Sequence, residues 1–128
     1  MIRFKDQHNL YDRQKESERV IKKYPDRVPI ICERSKTCKG ISAMDKNKFL
    51  VPNDLTMGQF MYVIRKRLAL PSEKAIFLFV NNTLVPTHSI LGEIYEEQHD
   101  SDGFLYISYS DENVFGHLAN PTTPTTPT

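Results

Sequence analysis

The sequence predicts an α+β domain, one sheet packed across one amphipathic helix, and three observations carry that prediction. The 128 residues are 39% hydrophobic and 26% charged, which suits one globular core. Thr56 and Gln59 form a capping-box pair, and Met57, Phe60, Met61, Ile64 and Leu68 follow at helical spacing. Short β-rich runs flank that helix on both sides, two before it and two after.

From Asn9 to Tyr24 a charged stretch places Leu10, Ser17, Val20, Ile21 and Tyr24 roughly on one helical face, and Pro25 closes it. Val28 to Glu33 is β-rich, and Pro29 within it argues for an edge strand or a position that needs no N–H bond. Arg34 to Lys46 is polar and reads as a loop. Lys48 to Pro52 is a second short strand. The capped helix ends before Pro71, with Arg65, Lys66 and Arg67 on its last turn, where cations favour the helix dipole. Ile76 to Val80 is a third strand, and Asn81-Asn82 suits a tight hairpin because Asn tolerates positive φ. Ser89 to Glu97 reads as a short helix and Phe104 to Tyr109 as a fourth strand. Four strands and one central helix in ββαββ order fit a β-grasp, here with an added N-terminal helical segment over about residues 1–25.

Composition changes after Gly116. Residues 121–128 are Pro and Thr throughout, too poor in apolar surface to offset their ordering entropy, so 117–128 reads as a disordered tail on a 1–116 domain. The start, Met1 to Asp6, has no apolar run of a secretory leader, and no stretch approaches the ~18 apolar residues of a membrane span. Cys32 and Cys38 are too few for a disulfide framework and lack metal-ligand spacing, so no metal or cofactor and a reducing, cytoplasmic setting are expected.

The net charge of +1 conceals an asymmetry. Residues 1–67 carry 16 of the 17 Lys/Arg and 8 of the 16 Asp/Glu, a formal +8, while residues 68–128 carry one Lys and eight acids, a formal −7. Either the halves neutralise each other, or a basic face is offered to an acidic partner. Catalysis would need Cys32 with His8, His88, His99 or His117, but a cysteine in an apolar β run is usually inert packing. A nucleic-acid module could use Lys22-Lys23 and Arg65 to Arg67, yet the second half is acidic and no RNA-binding aromatic signature appears, so no nucleic-acid partner is expected.

Three constellations stand out. Lys46, Lys48, Phe49, Leu50, Val51 and Pro52 form a basic-then-apolar edge, along which an extended peptide can add as another strand. Plain core with a solvated rim is the alternative there, for Phe60 above all. Phe77 and Phe79 alternate with Ile76, Leu78 and Val80, as an exposed aromatic pair or as a strand buried on both faces. Phe115-Gly116 precedes the tail, and a residue without a Cβ lets an enzyme cleft approach the backbone closely; an ordinary loop glycine is the alternative.

The strings YPDRVPIICE (24–33), DKNKFLVPNDLTMGQFMYVIRKRL (45–68), KAIFLFVNNTLVPT (74–87) and DGFLYISYSDENVFG (102–116) resemble the autophagy ubiquitin-like modifiers of the GABARAP type. The likeness runs from about Phe4 to Gly116, and only RSKTCKGISAM (34–44) and the long tail depart from it. The resemblance implies a ubiquitin-like β-grasp with two N-terminal helices and no enzymatic activity of its own. It implies cleavage after Gly116 by a processing cysteine protease that recognises Phe77, Phe79 and Phe115. E1-like, E2-like and ligase-like proteins would then join Gly116 to phosphatidylethanolamine. A cytoplasmic protein, monomeric in solution, would thereby move to the autophagosome membrane and on to the vacuole or lysosome. There it would recruit cargo receptors through aromatic-x-x-aliphatic peptides. By the same resemblance Glu16, Val20, Pro29, Lys48, Leu50 and Phe104 line an aromatic pocket. Phe49, Val51, Pro52, Leu55, Phe60 and Val63 line an aliphatic one, and Arg27, Lys46 and Arg67 meet acidic flanks. A trafficking or cytoskeletal adaptor of the same fold that is never lipidated remains the alternative.

Overall fold

The computed structural model describes residues 3–113. Phe115, Gly116 and the 117–128 segment, with every expectation attached to them, lie outside the described residues. The chain order is α1 (Phe4–Gln7), α2 (Leu10–Lys23), β1 (Arg27–Arg34), β2 (Lys48–Pro52), α3 (Met57–Leu68), β3 (Phe77–Val80), β4 (Thr83–Leu84), α4 (Leu91–Gln98) and β5 (Leu105–Ser110). The five strands form one sheet in the order β2-β1-β5-β3-β4, with β1 and β5 parallel and the remaining pairs antiparallel. This is the expected β-grasp with N-terminal helices, extended by the short β4.

The strand alternation sorts side chains into two layers. Val28, Ile30 and Cys32 of β1, Phe49 and Val51 of β2, Leu78 and Val80 of β3, and Leu105, Ile107 and Tyr109 of β5 enter the main core. Met57, Phe60 and Ile64 of α3, with Leu91 and Ile94 of α4, pack onto that layer. On the opposite side, Phe4, Ile31 and Phe104 form a smaller cluster against which Tyr106 packs. Both faces of the sheet are therefore covered, which suits the near-continuous apolar run of β1.

Local chemistry fixes the helix ends. Gln59 N–H donates to Thr56 Oγ1 at 3.1 Å and Thr56 N–H to Gln59 Oε1 at 2.9 Å, so the capping box closes in both directions. At the other end Ala69 takes a left-handed φ of 53°. Asn9 Oδ1 accepts from Asp12 N–H at 2.8 Å and caps α2. Asn81 and Asn82, at φ 50° and 65°, turn β3 into β4 as two positive-φ residues between antiparallel strands should.

Of the two readings of Pro29, the edge strand fails, because β1 lies between β2 and β5, and the position that needs no N–H bond holds. Cys32 N–H donates to Asn47 O on the β2 side, and strand amides alternate, so the Pro29 nitrogen faces β5, where pairing begins only at Ile30↔Leu105. The polar Arg34–Lys46 segment is also more than a solvated loop. It sends Cys38, 5% exposed, and Ile41, 3% exposed, into the main core, and Tyr109 ties it down by donating to Ser42 O at 2.7 Å.

Candidate functional site between helix α2 and edge strand β2

Strand β2 ends the sheet among the described residues, so its outer backbone groups are available to another chain. Beside it, α2 crosses the sheet face opposite α3 and leaves a cavity of about 190 Å³. Glu16 and Val20 from α2, Pro29 from β1, Lys48 and Leu50 from β2 and Phe104 ahead of β5 line it, together with Lys46 and Phe49. All six residues expected for an aromatic pocket are thus brought together. The pairing Pro29↔Leu50 explains part of this, since directly opposed residues share a sheet face. Lys48 Nζ lies 2.6 Å from Glu16 Oε2, with the two side chains 48% and 25% exposed, so an ion pair joins helix to strand at the cavity.

The residues expected to line an aliphatic pocket divide. Phe60 is 0% exposed and meets Phe49 edge-on, ring centroids 5.6 Å apart, and Phe49 and Val51 are buried with it. These three are core, because α3 turns its Met57/Phe60/Ile64 face onto the sheet layer to which Phe49 and Val51 point. Pro52 is exposed, Leu55 half-buried and Val63 38% exposed, leaving those three for surface contact.

The expected cations also divide. Lys46 Nζ stands 5.1 Å from the Phe49 ring centroid and Arg67 Cζ 6.0 Å from it, so two cations flank one ring. Arg27, exposed, lies at the other end of the β1–β2 ladder opposite Pro52. Arg65 is not part of a free basic face. Its guanidinium donates to the carbonyls of Lys74, Pro71 and Ser72 at 2.7, 2.8 and 3.4 Å and so closes the α3–β3 connection.

Phe77 is half-buried and Phe79 only 2% exposed, so the pair is not the exposed aromatic couple that the resemblance implies. Leu78 and Val80 on the other face are buried too, so from Leu78 to Val80 the strand follows the alternative reading, buried on both faces.

Asp102, which no motif or spacing in the sequence singles out, ties α2 to the start of β5 from outside the cavity. Its side chain is wholly buried. It accepts from Arg13 Nε at 2.8 Å, from Phe104 N–H at 2.8 Å and from the Tyr106 hydroxyl, while its carbonyl accepts from Ser17 Oγ at 2.6 Å. The hydrogen bond to Asp102 raises Arg13 above the ordinary guanidinium range. Burial first, then the same carboxylate, pushes the Tyr106 phenol up. Lys5 adds a 2.8 Å ion pair to Asp100 in the same turn. Two of the cations of the basic half are thereby neutralised by acids of the second half. Cys32 is fully buried and burial pushes its thiol well above the ordinary range, which disfavours a reactive thiolate. No group of three or more metal-ligating side chains occurs among the described residues, and none of their helices is long and apolar enough to cross a membrane.

A mixed β-grasp sheet that carries two extra N-terminal helices on its second face is the architecture of a ubiquitin-like protein of a specialised kind. The family model described as "Autophagy protein Atg8 ubiquitin like" matches residues 12–116. Autophagy-related protein 8 of Penicillium rubens is 55% identical over 116 residues, covering 91% of this chain and 98% of the relative. Its counterpart in Candida albicans is 57% identical over 113 residues, 88% of this chain and 83% of that one. The crystal structure of ATG8 from Trypanosoma brucei superposes with a TM-score of 0.83 at 43% identity, over 91% of this chain and 99% of that one. The chain belongs to the Atg8 family of autophagy ubiquitin-like proteins.

Proposed function

We propose that this protein is a conjugated modifier of autophagy and that the cavity between α2 and β2 receives the aromatic anchor of cargo-receptor peptides. The observation that carries the reading is the meeting of Glu16, Val20, Pro29, Lys48, Leu50 and Phe104 around about 190 Å³ beside the outer edge of β2. An extended peptide adding to that edge gains main-chain hydrogen bonds, and its side chains gain specificity from pockets. Residues i and i+3 of such a strand are ~10 Å apart, enough to reach a second, aliphatic contact at Pro52, Leu55 and Val63. Lys46 and Arg67 flank the path, and Arg27 stands at its far end, so acidic residues beside the motif meet positive charge.

In this reading a cysteine protease cuts after Gly116, engaging Phe115 and the β3 region around Phe77. E1-like, E2-like and ligase-like proteins then pass Gly116 to phosphatidylethanolamine. The protein acts as a modifier and not as an enzyme, and the enclosure of Cys32 supports this. Anchored to the autophagosome membrane through the lipid, it recruits receptors; before conjugation it is a cytoplasmic monomer. Titration of a labelled aromatic-x-x-aliphatic peptide tests the pocket. Leu50→Asp places an unpaired charge in the apolar lining and should abolish binding. Wild-type affinity in the folded variant would exclude this cavity.

A further inference from the structure

We infer that the seating of α2 on the Asp102–Gly103 turn sets the fit of the aromatic pocket, with Ser17 and Gly103 as its positioning residues. The inference rests on the peptide-binding reading of the cavity and adds what tunes its selectivity.

Neither Ser17 nor Gly103 is among the residues lining the cavity. The cavity is walled by separate parts of the chain: Glu16 and Val20 stand on α2, Pro29 and Leu50 on the sheet, and Phe104 just after the turn. Its width therefore depends on how deeply α2 sits. Three observations fix that depth at one place. Ser17, 2% exposed, donates from Oγ to Asp102 O at 2.6 Å. The buried Asp102 carboxylate holds Arg13 Nε and Phe104 N–H, each at 2.8 Å, so one group grips both the helix and a wall of the pocket. Gly103 has φ 92°, and a Cβ there would stand 2.3 Å from Ser17 Oγ and 2.9 Å from Ser17 Cβ. The helix rests on bare backbone at its closest approach.

Glu16 precedes Ser17 and Val20 follows it by about one turn of the same helix. Displacing Ser17 outward thus carries both pocket residues with it, and a close-packed interior transmits such a shift instead of absorbing it. An apolar pocket altered by the size of one methylene changes its discrimination by about tenfold or more. The contact between Ser17 and Gly103 is accordingly a selectivity setting made outside the pocket.

The test uses the full chain and three peptides that differ only in Trp, Phe or Ala at the aromatic position. Gly103→Ala should reduce the preference for aromatic over Ala peptides about tenfold, and Ser17→Ala a few-fold. The double variant Ser17→Gly/Gly103→Ala removes both clashing atoms but also the Ser17 hydroxyl, so its preference should recover from the Gly103→Ala level to about that of Ser17→Ala, although the positive φ remains. A folded variant that is only less stable would leave the preference unchanged, so the ratio separates positioning from general weakening. Wild-type ratios in Gly103→Ala and Ser17→Ala, or no recovery in the double variant, would overturn the inference. If Gly103→Ala does not fold, Ser17→Ala, which adds no atom, decides by the same ratio. A wild-type protein that shows no aromatic preference would instead sink the pocket reading itself.

Discussion

Lys48 Nζ and Glu16 Oε2 stand 2.6 Å apart, joining the edge strand to the second helix across residues that both line the same cavity. The pair is partly solvated, so its contribution to stability is small, about 0–1 kcal/mol. Its consequence for the proposed peptide groove is access: Lys48 is held by an internal carboxylate with which an acidic peptide would compete. Glu16→Gln should leave the melting temperature nearly unchanged and speed association of acidic-flanked peptides, with the gain shrinking in high salt. Stopped-flow association rates at two ionic strengths check this, and slower association would contradict it.

Asp102 should behave quite differently. Removing it leaves Arg13, Tyr106 and the Phe104 amide without their partner in a buried setting. Asp102→Ala is expected to cost about 3–5 kcal/mol, as breaking one side of a buried ion pair does. Urea unfolding should show the loss; a change below about 1 kcal/mol would mean that water replaces the carboxylate.

Arg65 and Arg67, two residues apart on α3, should separate by phenotype. Arg65 donates to three loop carbonyls, so Arg65→Ala should destabilise the fold by about 1–3 kcal/mol. Arg67, beside the Phe49 ring at the surface, should tolerate Glu with little change in stability while acidic-flanked peptides bind more weakly. Thermal melts and peptide titrations of both variants test the division, and equal effects on stability would refute it.

Tyr109 contributes to the fold's alkaline limit, beside the Cys32 thiol and the Tyr106 phenol that burial also raises. Its hydroxyl donates to Ser42 O and accepts from Met44 N–H, and burial first of all pushes its pKa up to about 12. A phenol whose folded pKa is raised stabilises fully below the unfolded value of about 10 and loses that stabilisation as pH rises towards 12. Denaturant midpoints should fall across that window in the wild type, and Tyr109→Phe should be less stable at neutral pH with a flatter alkaline limb. An identical alkaline limb in the variant would show that another group titrates.

Features with local causes were legible in the sequence. The Thr56–Gln59 capping box, the Met57/Phe60/Ile64 stripe and the Asn81-Asn82 turn are written within a few residues, and each forms as expected. Pro29 left two readings open, because a proline declares that it lacks an N–H but not which neighbour its nitrogen faces. Cys38 and Ile41 were hidden in a polar segment without periodicity, and part of what holds them, Tyr109 and Asp111, lies far along the chain. The six cavity residues came from family resemblance, since no spacing rule relates Glu16 to Phe104. Asp102 was missed for the same reason. The Asp-Gly pair signals a turn, but its partner Arg13 is 89 positions away.

Whether this chain is a conjugated modifier is decided by the intact mass of the protein recovered from starved cells. A conjugated modifier gives a chain ending at Gly116 that carries the added mass of phosphatidylethanolamine, with neither change in Gly116→Ala. An unmodified chain still ending at Thr128 in the wild type, or the same cleaved and lipid-linked mass in Gly116→Ala, would contradict it.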